Sequence, residues 1–257
     1  SFSSYGVYVI MSFIMLAMIF MILPRANVSS KRINEVLDEK VGVVEGTNDY
    51  SEKLGTIEFK DVNFKYEKDS DYILKNINFK VNKGQTLAVV GTSGSGKSTL
   101  INLIARLYDA TDGEVLIDGK NIKDYTFESL YSKVGYIGQK AIVFSDTIAN
   151  NVAFGETKTK VGEDEIKQAI EIAQGKEFVE NMKDGYNSEI AQGGINISGG
   201  QKQRLAIARI IAKKPEILIF DDSFSALDFK TDKKLREELK KNLKDTTCVI
   251  VASRIGT

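Results

Sequence analysis

The 257-residue chain carries 35 basic and 35 acidic residues, and 42% of its residues are hydrophobic. This balance is that of a globular protein of one or two domains. The cancelled charge argues against a nucleic-acid-binding surface made by net charge and leaves a local basic patch open. The chain contains no histidine and one cysteine, Cys248, which excludes a disulfide within it, a histidine-ligated metal and every mechanism that needs its own histidine base.

The first 24 residues form an apolar segment at the start of the chain. They contain no charged residue, and the stretch from Tyr5 to Leu23 is almost wholly apolar. A helix of this length crosses the hydrocarbon core of a bilayer. Three basic residues follow before the first acidic residue, Glu35, and this excess of positive charge predicts that the downstream chain is cytoplasmic. We therefore predict one transmembrane helix, preceded by further membrane spans.

The remaining chain changes character at Gly55. Residues 25–54 are polar and are interpreted as a connector, whereas residues 55–257 alternate strand and helix patterns and predict an α/β domain. Continuous apolar runs at 87–90 and 217–220 are typical of parallel strands covered on both faces. Residues at about 140–200 favour helices and predict a helical subdomain inside the α/β fold, with the clearest helix at Asp164–Gln174.

A glycine-rich motif follows the first of these apolar strands. It fits the phosphate-binding pattern G-x-x-x-x-G-K-[ST], with a strand before it and an apolar helix after it. Lys97 is predicted to reach the β- and γ-phosphates, and the Ser98 hydroxyl to hold Mg²⁺. At the end of the second apolar strand, Asp221 is predicted to complete the magnesium site. The motif consists of Gly91, Thr92, Ser93, Gly94, Ser95, Gly96, Lys97, Ser98 and Thr99.

A second motif identifies the family that this chain resembles. Ser198-Gly199-Gly200-Gln201, followed by an apolar-periodic helix, resembles the signature motif of ABC ATPases. Tyr66 is similar to the aromatic residue that stacks on adenine, and Gln139 to the glutamine that touches Mg²⁺ and faces the membrane domain. The segment Ser225–Asp228 is similar to the D-loop of that family.

The resemblance implies a P-loop NTPase fold of the ABC type, with bound ATP and Mg²⁺ and the first helix as the last membrane span of an exporter. Two such domains pair head to tail in this family, so that Ser198, Gly199, Gly200 and Gln201 would contact ATP held by the partner. The implied surroundings are a second exporter half-subunit, membrane lipid and a transported small molecule or peptide.

Three positions depart from the family pattern. Asp222 stands where a glutamate orients the attacking water, and Ser253 stands where a histidine contacts the γ-phosphate. Gln192 replaces the glutamate expected just before the signature motif. Losing the reach of one methylene, or one donor to the transferred phosphoryl group, slows hydrolysis on the order of 10²-fold or more.

These departures lead to the hypothesis that the chain is the degenerate half of a heterodimeric exporter, which binds ATP but hydrolyses it slowly at its own site. The alternatives are a slow homodimeric exporter and a regulatory subunit that is gated by nucleotide without hydrolysis. A soluble DNA-repair or translation ATPase of the same superfamily conflicts with the apolar segment at residues 1–24.

Overall fold

The computed structural model describes residues 2–52, 54–155 and 161–252 of the chain. The chain divides into two units, residues 1–42 and 43–257. The first unit is a single helix, α1 (Phe2–Leu37), which is long and apolar enough to cross a membrane. Its most apolar stretch has a mean hydropathy of 2.6 and none of it is buried.

The helix α1 is longer than the sequence predicts. It passes through Pro24 and ends at Leu37, so residues 25–37 of the predicted connector are helical. Proline removes one backbone hydrogen bond inside a helix, but the chain beyond it includes the favourable helix formers Arg25, Lys31 and Arg32. The predicted connector at residues 25–54 therefore begins as a helix.

The second unit contains two sheets. The first is antiparallel in the order β2-β1-β4-β5, and the second is parallel in the order β3-β8-β7-β6. The strands of the antiparallel sheet are β1 (Ile57–Phe64), β2 (Leu74–Val81), β4 (Asp112–Ile117) and β5 (Lys120–Asn121), and those of the parallel sheet are β3 (Thr86–Val90), β6 (Val134–Ile137), β7 (Ile217–Asp221) and β8 (Thr247–Ala252).

Burial of the parallel strands confirms one sequence prediction and corrects another. In β7, Ile217 and Ile219 enter the core shared with the antiparallel sheet, whereas Leu218 and Phe220 enter the core shared with the helical subdomain. Both faces of β7 are therefore covered, as its apolar run predicts. The outermost strand, β3, instead leaves Val90 45% exposed, so the prediction of two covered faces is wrong for this strand.

The helices of the second unit surround the parallel sheet. The segment Asp164–Gln174, predicted as the clearest helix, is helical from Glu163 to Ile172. Three helices of the predicted helical subdomain come before the longer α7, and α7 packs against two of them. The helices are α2 (Lys97–Ile104), α3 (Phe127–Lys133), α4 (Ile148–Ala153), α5 (Glu163–Ile172), α6 (Lys176–Glu180), α7 (Gly199–Ala212) and α8 (Phe229–Asn242).

Residues 43–52, which we call the strap, lie across the start of α3. Gly46 donates its amide to the carbonyl of Tyr125 at 3.0 Å, and a Cβ at this glycine would come within 2.3 Å of backbone atoms. Arg106, which is 2% exposed, donates to the carbonyl of Val44 at 2.6 Å. The strap is therefore fixed to the chain just after α2 and just before α3.

Candidate functional site

The glycine-rich loop connects β3 to α2, where the sequence predicts it. Gly96 is the N-cap of α2 and has a φ of 86°, a left-handed conformation that favours glycine. A Cβ at Gly91 would lie 2.6 Å from the Ser95 hydroxyl. The loop can therefore close tightly around a ligand, with the amides of the first helical turn facing it.

Lys97 folds back over this loop. Its ammonium donates to the carbonyls of Gly91 and Thr92 at 2.8 and 2.7 Å. An ammonium has three donors and no acceptor, so phosphate oxygens placed in the loop would accept from the same group. The Lys97 ammonium is therefore fixed against the backbone of the glycine-rich loop.

A cavity of about 430 Å³ opens beside the loop. It brings together the phosphate-binding motif, Gln139 and both carboxylates that end β7, although these elements are far apart in sequence. Its lining also contains Ile73 and Val251, which the sequence analysis missed. The lining residues are Ile73, Ser93, Gly94, Gly96, Lys97, Ser98, Thr99, Gln139, Asp221, Asp222 and Val251.

Tyr66 lies next to this cavity without lining it. Its ring contacts the rings of Phe64 and Tyr108 edge-on, with centroids 4.9 and 5.0 Å apart. Its hydroxyl is 3.1 Å from the Thr99 hydroxyl of the glycine-rich loop, and the residue is 47% exposed. The exposed aromatic surface is thus fixed beside the loop, and its contact with adenine stays a prediction.

The two carboxylates at the end of β7 have different surroundings. Asp221 accepts a hydrogen bond from the Tyr136 hydroxyl at 2.9 Å. Asp222 has a φ of 47°, its amide donates to the Val251 carbonyl at 3.3 Å, and its own carbonyl accepts from the Ser225 hydroxyl at 2.7 Å. The backbone of Asp222 is therefore held on both sides. Ser253, the other departure from the family pattern, lies outside the described residues.

The residues present fit a magnesium ion that arrives with a nucleotide. Mg²⁺ prefers oxygen ligands and is commonly held by one or two carboxylates together with substrate phosphates. Ser98, Gln139 and Asp221 offer such oxygens around the cavity. Within residues 2–52, 54–155 and 161–252, no group of three His, Cys, Asp or Glu side chains could hold a metal ion without this help.

Two residues of α7 hold the loop that carries Gln139. The Gln203 amide, 1% exposed, donates to the Gly138 carbonyl at 3.4 Å. The guanidinium of Arg209 donates to the Ile142 carbonyl at 2.9 Å. Neither contact follows from the sequence, because both residues belong to an apolar-periodic helix whose pattern does not show what its buried polar side chains bind.

The signature residues form the beginning of α7 and do not line the cavity. Ser198 is the N-cap of this helix and forms a capping box with Gln201. Open space surrounds the position of a Cβ at Gly199, and at Gly200 the nearest atom is the Ala226 carbonyl at 3.4 Å. The helix N-terminus therefore presents two amides and a hydroxyl, which suit an anion supplied from elsewhere.

Comparisons with known proteins agree with this arrangement. The family model described as ABC transporter matches residues 74–225. The chain belongs to the ABC transporter family. Proteins named as multidrug export ATP-binding/permease proteins, from two strains of Staphylococcus aureus, are 44% identical over 225 residues, which is 88% of this chain and 38% of theirs.

A solved structure extends the match. The structure of a bacterial Atm1-family ABC exporter with ATP bound superposes with a TM-score of 0.80 and 32% identity, covering 93% of this chain and 42% of that one. This ABC transporter chain therefore has the α/β fold of an ABC ATPase with an N-terminal apolar helix. It spans about two fifths of the length of these relatives.

Proposed function

We propose that this ABC transporter chain is the ATP-driven half of an exporter and that it binds ATP with Mg²⁺ in the cavity beside the glycine-rich loop. The observation that carries the proposal is the meeting of Lys97, Ser98, Gln139 and Asp221 in that single cavity. Lys97 would bind the β- and γ-phosphates, and Ser98, Gln139 and Asp221 would hold the ion. When bound, the ion neutralises charge that develops on the phosphoryl group.

The same site is proposed to hydrolyse ATP slowly. Asp222 is one methylene shorter than the glutamate expected there, which draws its carboxylate back by about 1 Å, and a misplacement of that size can cost on the order of 10²-fold in rate. Its amide donates to the Val251 carbonyl and its carbonyl accepts from the Ser225 hydroxyl, so the backbone has little freedom to compensate. Ser253 supplies no imidazole to the γ-phosphate. The two losses act on one transition state and are not multiplied.

The signature motif supports a non-identical partner subunit. Ser198, Gly199, Gly200 and Gln201 form a complete capped helix start, which in a head-to-tail pair would serve ATP bound by the other subunit. An impaired ATP site and an intact signature motif in one chain are expected in a heterodimer. One composite site then retains ATP, and the other, which contains this chain's signature motif, hydrolyses it. Loss of the γ-phosphate then removes the preference for the closed pair.

The membrane context follows from the same family assignment. We place the last membrane span within residues 1–24, a connector at 25–54 whose first part is helical, and the nucleotide-binding domain at 55–257 with its helical subdomain at about 140–200. The exporter would be a multi-pass protein of the cell membrane with this domain in the cytoplasm. It would move a small molecule or peptide, with lipid around its helices and no nucleic acid partner.

The test of this proposal is the composition and activity of the full-length protein purified from its own cells. We expect a second, different ABC subunit to co-purify, and we expect ATP hydrolysis by the pair to exceed that of this subunit reconstituted alone. A single subunit type with ordinary turnover would favour a homodimeric exporter. Nucleotide binding without single-turnover hydrolysis or substrate flux in the pair would favour the regulatory subunit.

A further inference from the structure

Tyr136 binds the carboxylate that the sequence assigns to magnesium. Its hydroxyl donates to Oδ2 of Asp221 at 2.9 Å. Tyr136 lies on β6, opposite Ile219 of the neighbouring parallel strand β7, so its long side chain spans the two residues from Ile219 to the strand end. The contact is therefore set by the register of the two strands as well as by the side chains.

The tyrosine is held as a donor. Its ring packs against the apolar core between the two sheets. A phenol of ordinary pKa, about 10, carries its proton at neutral pH, whereas an ionised carboxylate can only accept. The Tyr136 hydroxyl is therefore the donor in this contact.

This contact orients the Asp221 carboxylate. The phenol uses one acceptor site of Oδ2, and an ionised carboxylate has about four such sites, so others remain for a cation or for water bound to it. Hydrogen-bond partners of metal-binding side chains fix their orientation, and their loss commonly costs 10–100-fold in metal affinity or activity. Tyr136 also precedes Gln139 by three residues on the same strand and loop, so one segment carries both a ligand and the group that orients another.

We propose that Tyr136 is the positioning residue that orients the Asp221 carboxylate for the Mg²⁺ of the nucleotide complex. The assignment rests on the proposed function, because it requires nucleotide and metal to bind in this cavity. Tyr136 acts only through Asp221 and contacts neither phosphate nor metal.

The test substitutes Tyr136→Phe in the full-length protein and measures metal and nucleotide binding separately. Mn²⁺ replaces Mg²⁺ as the probe, and free Mn²⁺ is measured by electron paramagnetic resonance in the presence of ATP. ATP binding is also measured in EDTA. We expect Mn²⁺ affinity at one site per copy of this chain to fall about 10–100-fold, with ATP binding in EDTA unchanged.

Tyr125→Phe is the matched control. The Tyr125 hydroxyl is also buried and donates at 2.8 Å, but its acceptor is the Ile117 carbonyl, which does not line the cavity. We expect this variant to lower the midpoint of thermal unfolding without changing Mn²⁺ affinity. Unchanged Mn²⁺ affinity in Tyr136→Phe, or an equal loss in both variants, would overturn the assignment. A wild type that binds no ATP at all, with or without Mn²⁺, would instead contradict the proposed function.

Discussion

Ser198 and Gln201 exchange two hydrogen bonds across the first turn of α7. The Gln201 amide donates to the Ser198 hydroxyl at 3.3 Å, and the Ser198 amide donates to the Gln201 side-chain oxygen at 2.7 Å. The hydroxyl thus accepts a bond from its own helix and keeps its proton for another acceptor. In the proposed head-to-tail pair, Ser198 would therefore stabilise its helix and donate to a phosphate of the partner's ATP at the same time.

Two substitutions at Ser198 separate these roles. Ser198→Ala removes the cap and is expected to cost about 1 kcal/mol of stability. Ser198→Asp keeps a capping oxygen and suits the helix dipole, but it places negative charge against the γ-phosphate. We expect the aspartate variant to unfold at the higher temperature and yet to support less ATP hydrolysis in the assembled transporter. Hydrolysis that follows the unfolding temperature in both variants would show that the cap alone matters.

Removing Arg106 is expected to loosen the strap. The guanidinium donates to the carbonyls of Val44 and Tyr125 and pairs with Asp109 at 3.2 Å. Arg106→Ala leaves polar groups without partners, each costing about 1–3 kcal/mol where it is buried. We expect lower thermal stability and proteolytic cleavage within residues 43–52. Arg106→Lys keeps the charge but loses the planar guanidinium, so its thermal stability should lie between that of the wild type and that of Arg106→Ala. Equal stability of all three proteins would contradict this expectation.

Lys133 forms a buried ion pair that is suited to a double-mutant cycle. Its ammonium lies 3.0 Å from Asp118 and 3.3 Å from Glu216, and the side chains of Lys133 and Asp118 are 3% and 1% exposed. Lys133→Met leaves a buried negative charge without its ion-pair partner and is expected to lower the free energy of unfolding by about 3–5 kcal/mol. Adding Asp118→Asn should recover part of that loss in the midpoint of thermal unfolding. Strictly additive losses would mean that the pair is not coupled.

Cys248 is expected to be a poor nucleophile in the folded protein. Burial raises the pKa of its thiol to about 11, so at pH 8 only on the order of one thiol in 10³ is ionised, and the thiolate is the reactive form. Alkylation of this residue, followed by mass spectrometry of its peptide, should be slow at pH 8 and should accelerate in denaturant. Equal rates before and after unfolding would contradict the burial of β8.

The sequence predicted which segments form strands, helices and the glycine-rich loop better than it predicted what packs against them. The apolar run of β7 and the glycine-rich loop predicted a buried strand and a ligand loop, because each pattern has few other structural uses. The apolar run of β3 looks the same, but Val90 of β3 is 45% exposed. What packs against the face of a strand depends on the rest of the fold and cannot be read from its apolar run alone.

The contacts that tune the candidate site were also beyond the sequence. Tyr136 reaches Asp221 only because β6 lies beside β7 in one particular register. Gln203 reaches the Gly138 carbonyl only because α7 packs near β6. By contrast, Lys97 and Ser98 belong to a contiguous motif, and their place in the cavity followed from the motif alone.

Single-turnover hydrolysis by the full-length protein tests the central claim most directly. Radiolabelled ATP bound to the wild-type subunit alone would be compared with ATP bound to the double variant Asp222→Glu and Ser253→His, with thermal stability measured in parallel because position 222 has a φ of 47°. We predict equal ATP binding, with cleavage by the wild type slower on the order of 10²-fold. Equal cleavage rates in the two proteins would contradict a degenerate site.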